Sequence, residues 1–286
     1  MVIDALYENV SKKGIVCLGL DTSPDYLPDG FKNKFSTAAE AVFEFNRQII
    51  DETCGAIACY KVQIAYYEAL GIEGLQAYAR TLKYIRAKNV PVIADVKRGD
   101  IKDTAAMYAK AHFTGDFESD FMTLNPYLGF DSLEPYKPYF NEKGCFVLMR
   151  TSNPGAKDIQ YLRVEGAGSG EDGASGEGGA NGVSGVRNTG GANGAGVKSA
   201  PEQKNVTSYE MVYNVVADGI INAAGEFTGA SGYSSIGAVM GCTNAEEIKA
   251  IRERMASIFF LIPGYGAQGG EAKTVSLFLK NKTAAL

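Results

Sequence analysis

The chain has 286 residues, and positions 165–199 alone carry 13 of its 34 glycines; the rest has the composition of one large α/β domain or two small ones. Lys plus Arg number 28 against 33 Asp plus Glu, a net charge of −5 with a pI near 5.2, which argues against a general nucleic-acid binder but leaves room for a local basic pocket that takes a phosphorylated small molecule. One histidine (His112), no Trp, and cysteines at 17, 54, 59, 145 and 242 without CxxC pairing exclude a His-rich metal cluster, argue against Ser-His-Asp catalysis and point to reduced thiols.

The N-terminal stretch Met1-Val-Ile-Asp-Ala-Leu-Tyr-Glu8 has no basic segment leading into an apolar one, and no run of ~18 uncharged apolar residues follows. The sequence therefore predicts a soluble cytoplasmic protein without membrane or nucleic-acid partners. Short apolar runs then alternate with segments of helical period. After the first run, Ile15 to Asp21, a capping box Thr37-x-x-Glu40 opens a helix with Val42, Phe43, Asn46, Ile49 and Ile50 on one face. After the second, Ala56 to Lys61, the spacing of Ile72, Leu75, Ala79, Leu82 and Ile85 predicts another helix. Runs from Val92 to Lys97, Phe121 to Asn125 and Cys145 to Met149 come next. The Gly-rich segment 165–205 cannot bury enough apolar surface to offset its ordering entropy, and reads as a disordered surface insertion after the fifth strand of a single domain, 1–286. A second Thr-x-x-Glu pair, Thr207 and Glu210, opens a helix carrying Val212, Val215, Val216 and Ile220; runs from Ile236 to Met240 and Ile258 to Ile262 and a helix over 270–281 complete the pattern.

Such alternation builds βα units on a parallel sheet. Seven units predict either an open doubly wound sheet or a (β/α)8 barrel whose eighth unit is missing, and the reading adopted is a TIM (β/α)8 barrel with its eighth strand missing. A barrel without its closing strand exposes two edges, so a longer frame with one more apolar run and helix is expected.

The third run carries charge where a strand should be apolar. Side chains alternate, so Asp95 and Lys97 share a face with Ile93, while Val92, Ala94 and Val96 face the helices. By the same phase Asp21 ends the first strand pointing inward and Lys61 ends the second in line with Ile57 and Cys59. Four charges thus converge at the C-terminal mouth, where barrel enzymes keep their active sites, and burying them is costly unless they pair. Asp100 falls past Gly99 into the loop opening the next helix, where it either caps that helix or reaches across to another site, with Thr104 one turn on. After the seventh strand, Pro263-Gly-Tyr-Gly-Ala-Gln-Gly-Gly270 is either a plain tight loop or a cradle of backbone amides for phosphate, with Gln268 an added donor. Thr151-Ser-Asn-Pro-Gly155 is a polar turn at the same mouth.

Asp95-x-Lys97-x-x-Asp100 with an upstream Lys61 resembles orotidine 5′-phosphate decarboxylases, in their longer bacterial branch. Leu18-Gly-Leu-Asp21, Tyr60-Lys-Val-Gln63, Leu124-Asn-Pro-Tyr127, Thr151-Ser-Asn-Pro-Gly155 and Pro263-Gly-Tyr-Gly-Ala-Gln-Gly-Gly270 are similar to that family's blocks, in order. The resemblance implies decarboxylation of orotidine 5′-phosphate to UMP in pyrimidine synthesis, without metal or organic cofactor, in a homodimer with shared active sites. It implies a catalytic array of Lys61, Asp95, Lys97 and, from the neighbouring subunit, Asp100. It further implies that Asp21 holds a ribose hydroxyl and Ser152 the pyrimidine, that Pro263 lines the pocket, that Gln268 touches phosphate, and that Ile101 and Thr104 reach the partner's site. The family's phosphate-pairing Arg follows an eighth strand, beyond Leu286. Two other readings share the pattern. Mg²⁺-dependent sugar-phosphate synthases and decarboxylases of the same suprafamily carry the DxKxxD block, but with an acidic residue where this chain has Lys61, whose charge repels a metal ion. An inactive, truncated nucleotide-binding paralogue is the other.

Overall fold

The computed structural model describes residues 1–165, 209–241, 245–263 and 275–279. The strands in chain order are β1 (Cys17–Gly19), β2 (Cys59–Gln63), β3 (Val92–Arg98), β4 (Phe121–Leu124), β5 (Gly144–Arg150), β6 (Arg163–Glu165), β7 (Tyr209–Met211), β8 (Ile236–Met240) and β9 (Phe260–Leu261). All seven apolar runs become strands of one parallel sheet, ordered β1-β2-β3-β4-β5-β8-β9. Spatial order follows chain order with no reversal, so the sheet lacks the switch point of a doubly wound fold and follows the barrel's winding. The helices are α1 (Val2–Lys13), α2 (Asp29–Lys32), α3 (Ala38–Thr53), α4 (Ala65–Glu68), α5 (Gly71–Ala87), α6 (Lys102–Phe113), α7 (Val212–Ala224) and α8 (Ala245–Arg254).

Strand alternation divides the core in two. Val92, Ala94 and Val96 of β3, Met122 and Leu124 of β4, and Cys145 and Val147 of β5 pack outward against the helices. Cys59, Ile93, Phe121, Phe146, Val239 and Leu261 face inward and form one cluster, which side chains from β2 through β9 join only because the sheet is rolled on itself. Phe121 and Phe146 fill this interior at 5.4 Å between centroids. Gly237 makes room for them, since a Cβ there would lie 2.6 Å from the Phe146 ring. Helix α1 plugs the N-terminal end: Ile3, Leu6 and Val10 join the interior cluster, Asn9 Nδ2 donates to Ala58 O at 3.1 Å, and Asp4 Oδ1 accepts from Ser231 N at 2.8 Å.

Several local expectations need correction. Thr37 caps α3, its hydroxyl accepting from Glu40 N at 3.2 Å, but the Glu40 carboxylate turns away to ion-pair with Arg80. The buried face of α5 is Gly74, Ala77, Tyr78, Thr81, Leu82 and Ile85; Ile72 is 77% exposed, because the helical period puts it on the side opposite Gly74, Thr81 and Ile85. Ile57 packs on the helix side and Ala58 inward, since strand alternation begins at Cys59. Glu210 lies in β7, not in a helical turn: residues 163–165 pair antiparallel with 209–211, and α7 starts at Val212. Val215 is correspondingly exposed while Tyr213, Ala217 and Ile220 are buried. Residue 165 is thus strand, paired with Tyr209; the remainder of the 165–205 segment and Thr207 lie outside the described residues. Of the helix expected over 270–281, residues 275–279 are described and contain a 3₁₀ turn, Ser276–Phe278, with Val275 and Phe278 buried.

Candidate active site

Two strands, β2 and β3, and the loop after β1 bring four of the expected charges together. Register pairs Gly19 with Lys61 and Gln63 with Asp95, so the ends of β1, β2 and β3 lie side by side. Asp21, two residues past Gly19, folds back over the end of β2: Lys61 Nζ donates to Asp21 Oδ1 at 2.8 Å and Oδ2 at 3.1 Å. The same ammonium lies 3.3 Å from Asp95 Oδ2, and Lys97 Nζ donates to Asp95 Oδ1 at 2.6 Å. The order Asp21, Lys61, Asp95, Lys97 is a chain of alternating sign. Beneath it, Thr22 donates to Asn46 of α3, which donates to Tyr67; this buried relay anchors the segment that carries Asp21.

The chain is buried at its middle and open at both ends. The Asp95 side chain is 9% exposed, Lys61 17%, Asp21 39% and Lys97 46%. Burial alone would raise the Asp95 pKa, but the ammonium groups of Lys61 and Lys97 outweigh it and hold the carboxyl below the usual carboxylate value. Burial likewise pulls Lys61 down, and Asp95 and Asp21 overcome it, so its pKa is raised. Both groups are ionised at neutral pH. The Lys97 ammonium, bonded to Asp95 yet half open to the mouth, is positioned to meet a ligand.

Lys97 is held in an unusual backbone. Its φ is +46°, in the left-handed region that non-glycine residues rarely occupy. Ala94 pairs with Met122 and Arg98 with Leu124, so four steps of β3 span two of β4, and this bulge turns Lys97 toward Asp95.

The other expected residues are placed as follows. Asp100 accepts from Ile101 N at 2.8 Å, just before α6; among the described residues no ion pair joins it to Lys61, Asp95 or Lys97 of its own chain. Ile101 is 45% exposed and Thr104 is also exposed, both on the outer surface at the start of α6. Ser152, half-buried after β5, packs against Gly241 at the end of β8, and Pro263, half-buried, follows β9 at the same end of the sheet. Gln268 lies outside the described residues. Two polar residues at the site had no assigned role. Gln63 Nε2 donates to Asp95 Oδ2 at 2.9 Å, and Thr123 Oγ1 donates to Asp95 Oδ1 at 3.0 Å. The alternation that singled out Asp95 applies to them as well: Gln63 is in phase with Lys61, and Thr123 with Phe121.

A sequence profile described as the orotidine 5′-phosphate decarboxylase / HUMPS family matches residues 15–226. The chain is 51% identical over 283 residues to orotidine 5′-phosphate decarboxylase of Clostridium perfringens (strain 13 / Type A), covering 98% of this chain and 84% of that protein. It is 53% identical over 281 residues to the enzyme of the same name from Clostridium botulinum (strain Hall), with the same coverage. Among solved structures it is similar to Leishmania donovani OMP decarboxylase, with a TM-score of 0.67 and 27% identity, covering 100% of this chain and 87% of that one.

Proposed function

The chain belongs to the orotidine 5′-phosphate decarboxylase family and decarboxylates orotidine 5′-phosphate to UMP, and we propose that Lys61, Asp95, Lys97 and Asp100 carry that step. The observation that supports this assignment best is the alternating chain of charge at the mouth, with a half-exposed ammonium at its open end.

Loss of CO₂ breaks the bond from pyrimidine C6 to its carboxylate and leaves the electron pair on C6. The Lys97 ammonium beside that carbon stabilises the developing charge and then donates its proton, completing UMP; the neutral amine regains a proton from water. The Asp95 carboxylate faces the substrate carboxylate and disfavours the ground state. Lys61 and the partner subunit's Asp100 orient Lys97. The proton and the counter-charges all come from side chains, so the step uses no cofactor. Asp21, whose carboxylate is partly open, takes a ribose hydroxyl; Ser152 takes the pyrimidine, Pro263 lines the pocket, and Gln268 takes the phosphate.

The shared site is part of the same reading. Asp100 stays out of its own chain's cluster, and Ile101 and Met107 leave 45% and 61% of their surfaces exposed on α6, with Tyr127 and Leu128 exposed at 80% and 49% after β4. A homodimer closing over this face brings Asp100, Ile101 and Thr104 to the partner's mouth. Among the described residues no helix is long and apolar enough to cross a membrane, and we assign the enzyme to the cytoplasm. Because the Lys61 ammonium occupies the position that a metal-dependent relative gives to an acidic ligand, orotidylate loss followed by ultraviolet absorbance should proceed undiminished in EDTA; a strict Mg²⁺ requirement would overturn the assignment.

A further inference from the structure

The bulge that gives Lys97 its orientation is held from the neighbouring strand by one hydroxyl. Thr123, 1% exposed, projects inward from β4 opposite the two surplus residues of β3. Its Oγ1 accepts from Val96 N at 3.0 Å and from Lys97 N at 2.8 Å, and donates to Asp95 Oδ1 at 3.0 Å. In an unbroken strand adjacent amides point to opposite neighbours, so only one of these two would bond to a backbone carbonyl of β4; at the bulge both turn to the one side-chain oxygen. Two backbone N–H groups, one buried and one part-buried, and a buried carboxylate thus converge on a single atom, and its one proton has only the carboxylate left to serve.

We propose that Thr123 is a positioning residue for the decarboxylation, holding Lys97 in its left-handed backbone and Asp95 in its charged state at once. This rests on the assignment of Lys97 and Asp95 to the reaction. Valine keeps the shape of threonine but offers nothing to the two amides, so the bulge relaxes and the Lys97 ammonium moves away from Asp95 Oδ1. Misplacement of a reacting group by about 1 Å costs about a hundredfold in rate. The groups around Asp95 are Lys61 and Gln63 on β2, Asp21 after β1, Lys97 on its own strand and Tyr78 of α5; removing the Thr123 donor from this set leaves the carboxylate less stabilised and easier to protonate.

The test compares Thr123→Val and Thr123→Ser in the full chain. Thr123→Val should lower kcat about a hundredfold while UMP affinity changes less than about threefold, and the acid limb of its kcat profile should move to higher pH. Thr123→Ser keeps the oxygen and should stay within about fivefold of wild type with an unmoved acid limb. If Thr123→Val does not fold, Thr123→Cys, a weak donor and acceptor of similar size, should show the same acid-limb shift and an intermediate loss. Carboxyl carbon NMR titration of Asp95 in the free variants reads the second role without turnover. A valine enzyme within about threefold of wild type, a serine enzyme as impaired as the valine one, or an Asp95 titration that does not move would overturn the proposal. Activity surviving in Lys97→Ala, by contrast, would defeat the site assignment beneath it.

Discussion

At the residue scale, charge placement decides both chemistry and pH response. Asp95 titrates below the ordinary carboxylate value and Lys61 above the ordinary amine value, so the ion-paired state contributes stability above the unfolded carboxylate pKa and loses it as pH falls through the folded one. At the alkaline end the Lys61 contribution is full below its unfolded pKa and is lost as pH rises through the folded value. Lys61→Gln removes a cation 3.3 Å from Asp95, and the acid limb of its kcat profile should therefore move to higher pH. His112 takes up its proton at lower pH than a surface histidine does. Burial against Phe117, with Arg98 nearby, lowers its pKa from 6.5 to about 4, so the unfolded chain binds a proton in the pH range where the folded one does not. Stability should fall by about 2 kcal/mol between pH 7 and pH 5 from this group, and in His112→Phe the urea midpoint should flatten across that range; an unchanged slope would contradict it. Asp21, Lys61, Asp95 and Lys97 were legible because charge at an inward strand position is conspicuous. Thr123 and Gln63 obey the same phase, but neutral polar residues cost less to bury and carry no comparable alarm.

At the element scale, strands were easier to read than helix limits. A run such as Cys145 to Met149 is apolar on both faces because a parallel strand is covered twice, by the barrel interior and by the helices, and all seven such runs became strands. Helix limits depend on tertiary pairing, which local period does not contain. Glu210 shows this, since its place in β7 depends on pairing with residues 163–165 some 45 positions earlier. Two substitutions test the elements. Thr37→Ala removes the hydroxyl that accepts from Glu40 N and should destabilise by about 1 kcal/mol in urea titration, with activity retained. Gly237→Val puts branched carbon where even a Cβ lies 2.6 Å from Phe146 and 2.8 Å from Phe259 O; a loss of about 3 kcal/mol or failure to fold is expected, and wild-type stability would contradict the packing described for the interior.

At the scale of the whole molecule, a rolled sheet collects the ends of β1, β2 and β3 at one mouth while α1 plugs the other. Rigidity of the strands places the alternating charges; the loop after β3 carries Ile101 outward and holds the Asp100 carboxylate on its own backbone, at Ile101 N. If sites are shared, mixing inactive Lys97→Ala and Asp100→Ala chains restores one intact site per mixed dimer, and about a quarter of wild-type activity should return on random exchange. No recovery, with exchange verified by mass, would argue for sites completed within one chain. The most direct test of the whole account is single-turnover decarboxylation of orotidylate by Lys97→Ala, read beside UMP affinity. The rate should drop by about four orders of magnitude with UMP affinity nearly intact. A rate near wild type would contradict Lys97 as the group that replaces carbon dioxide with a proton.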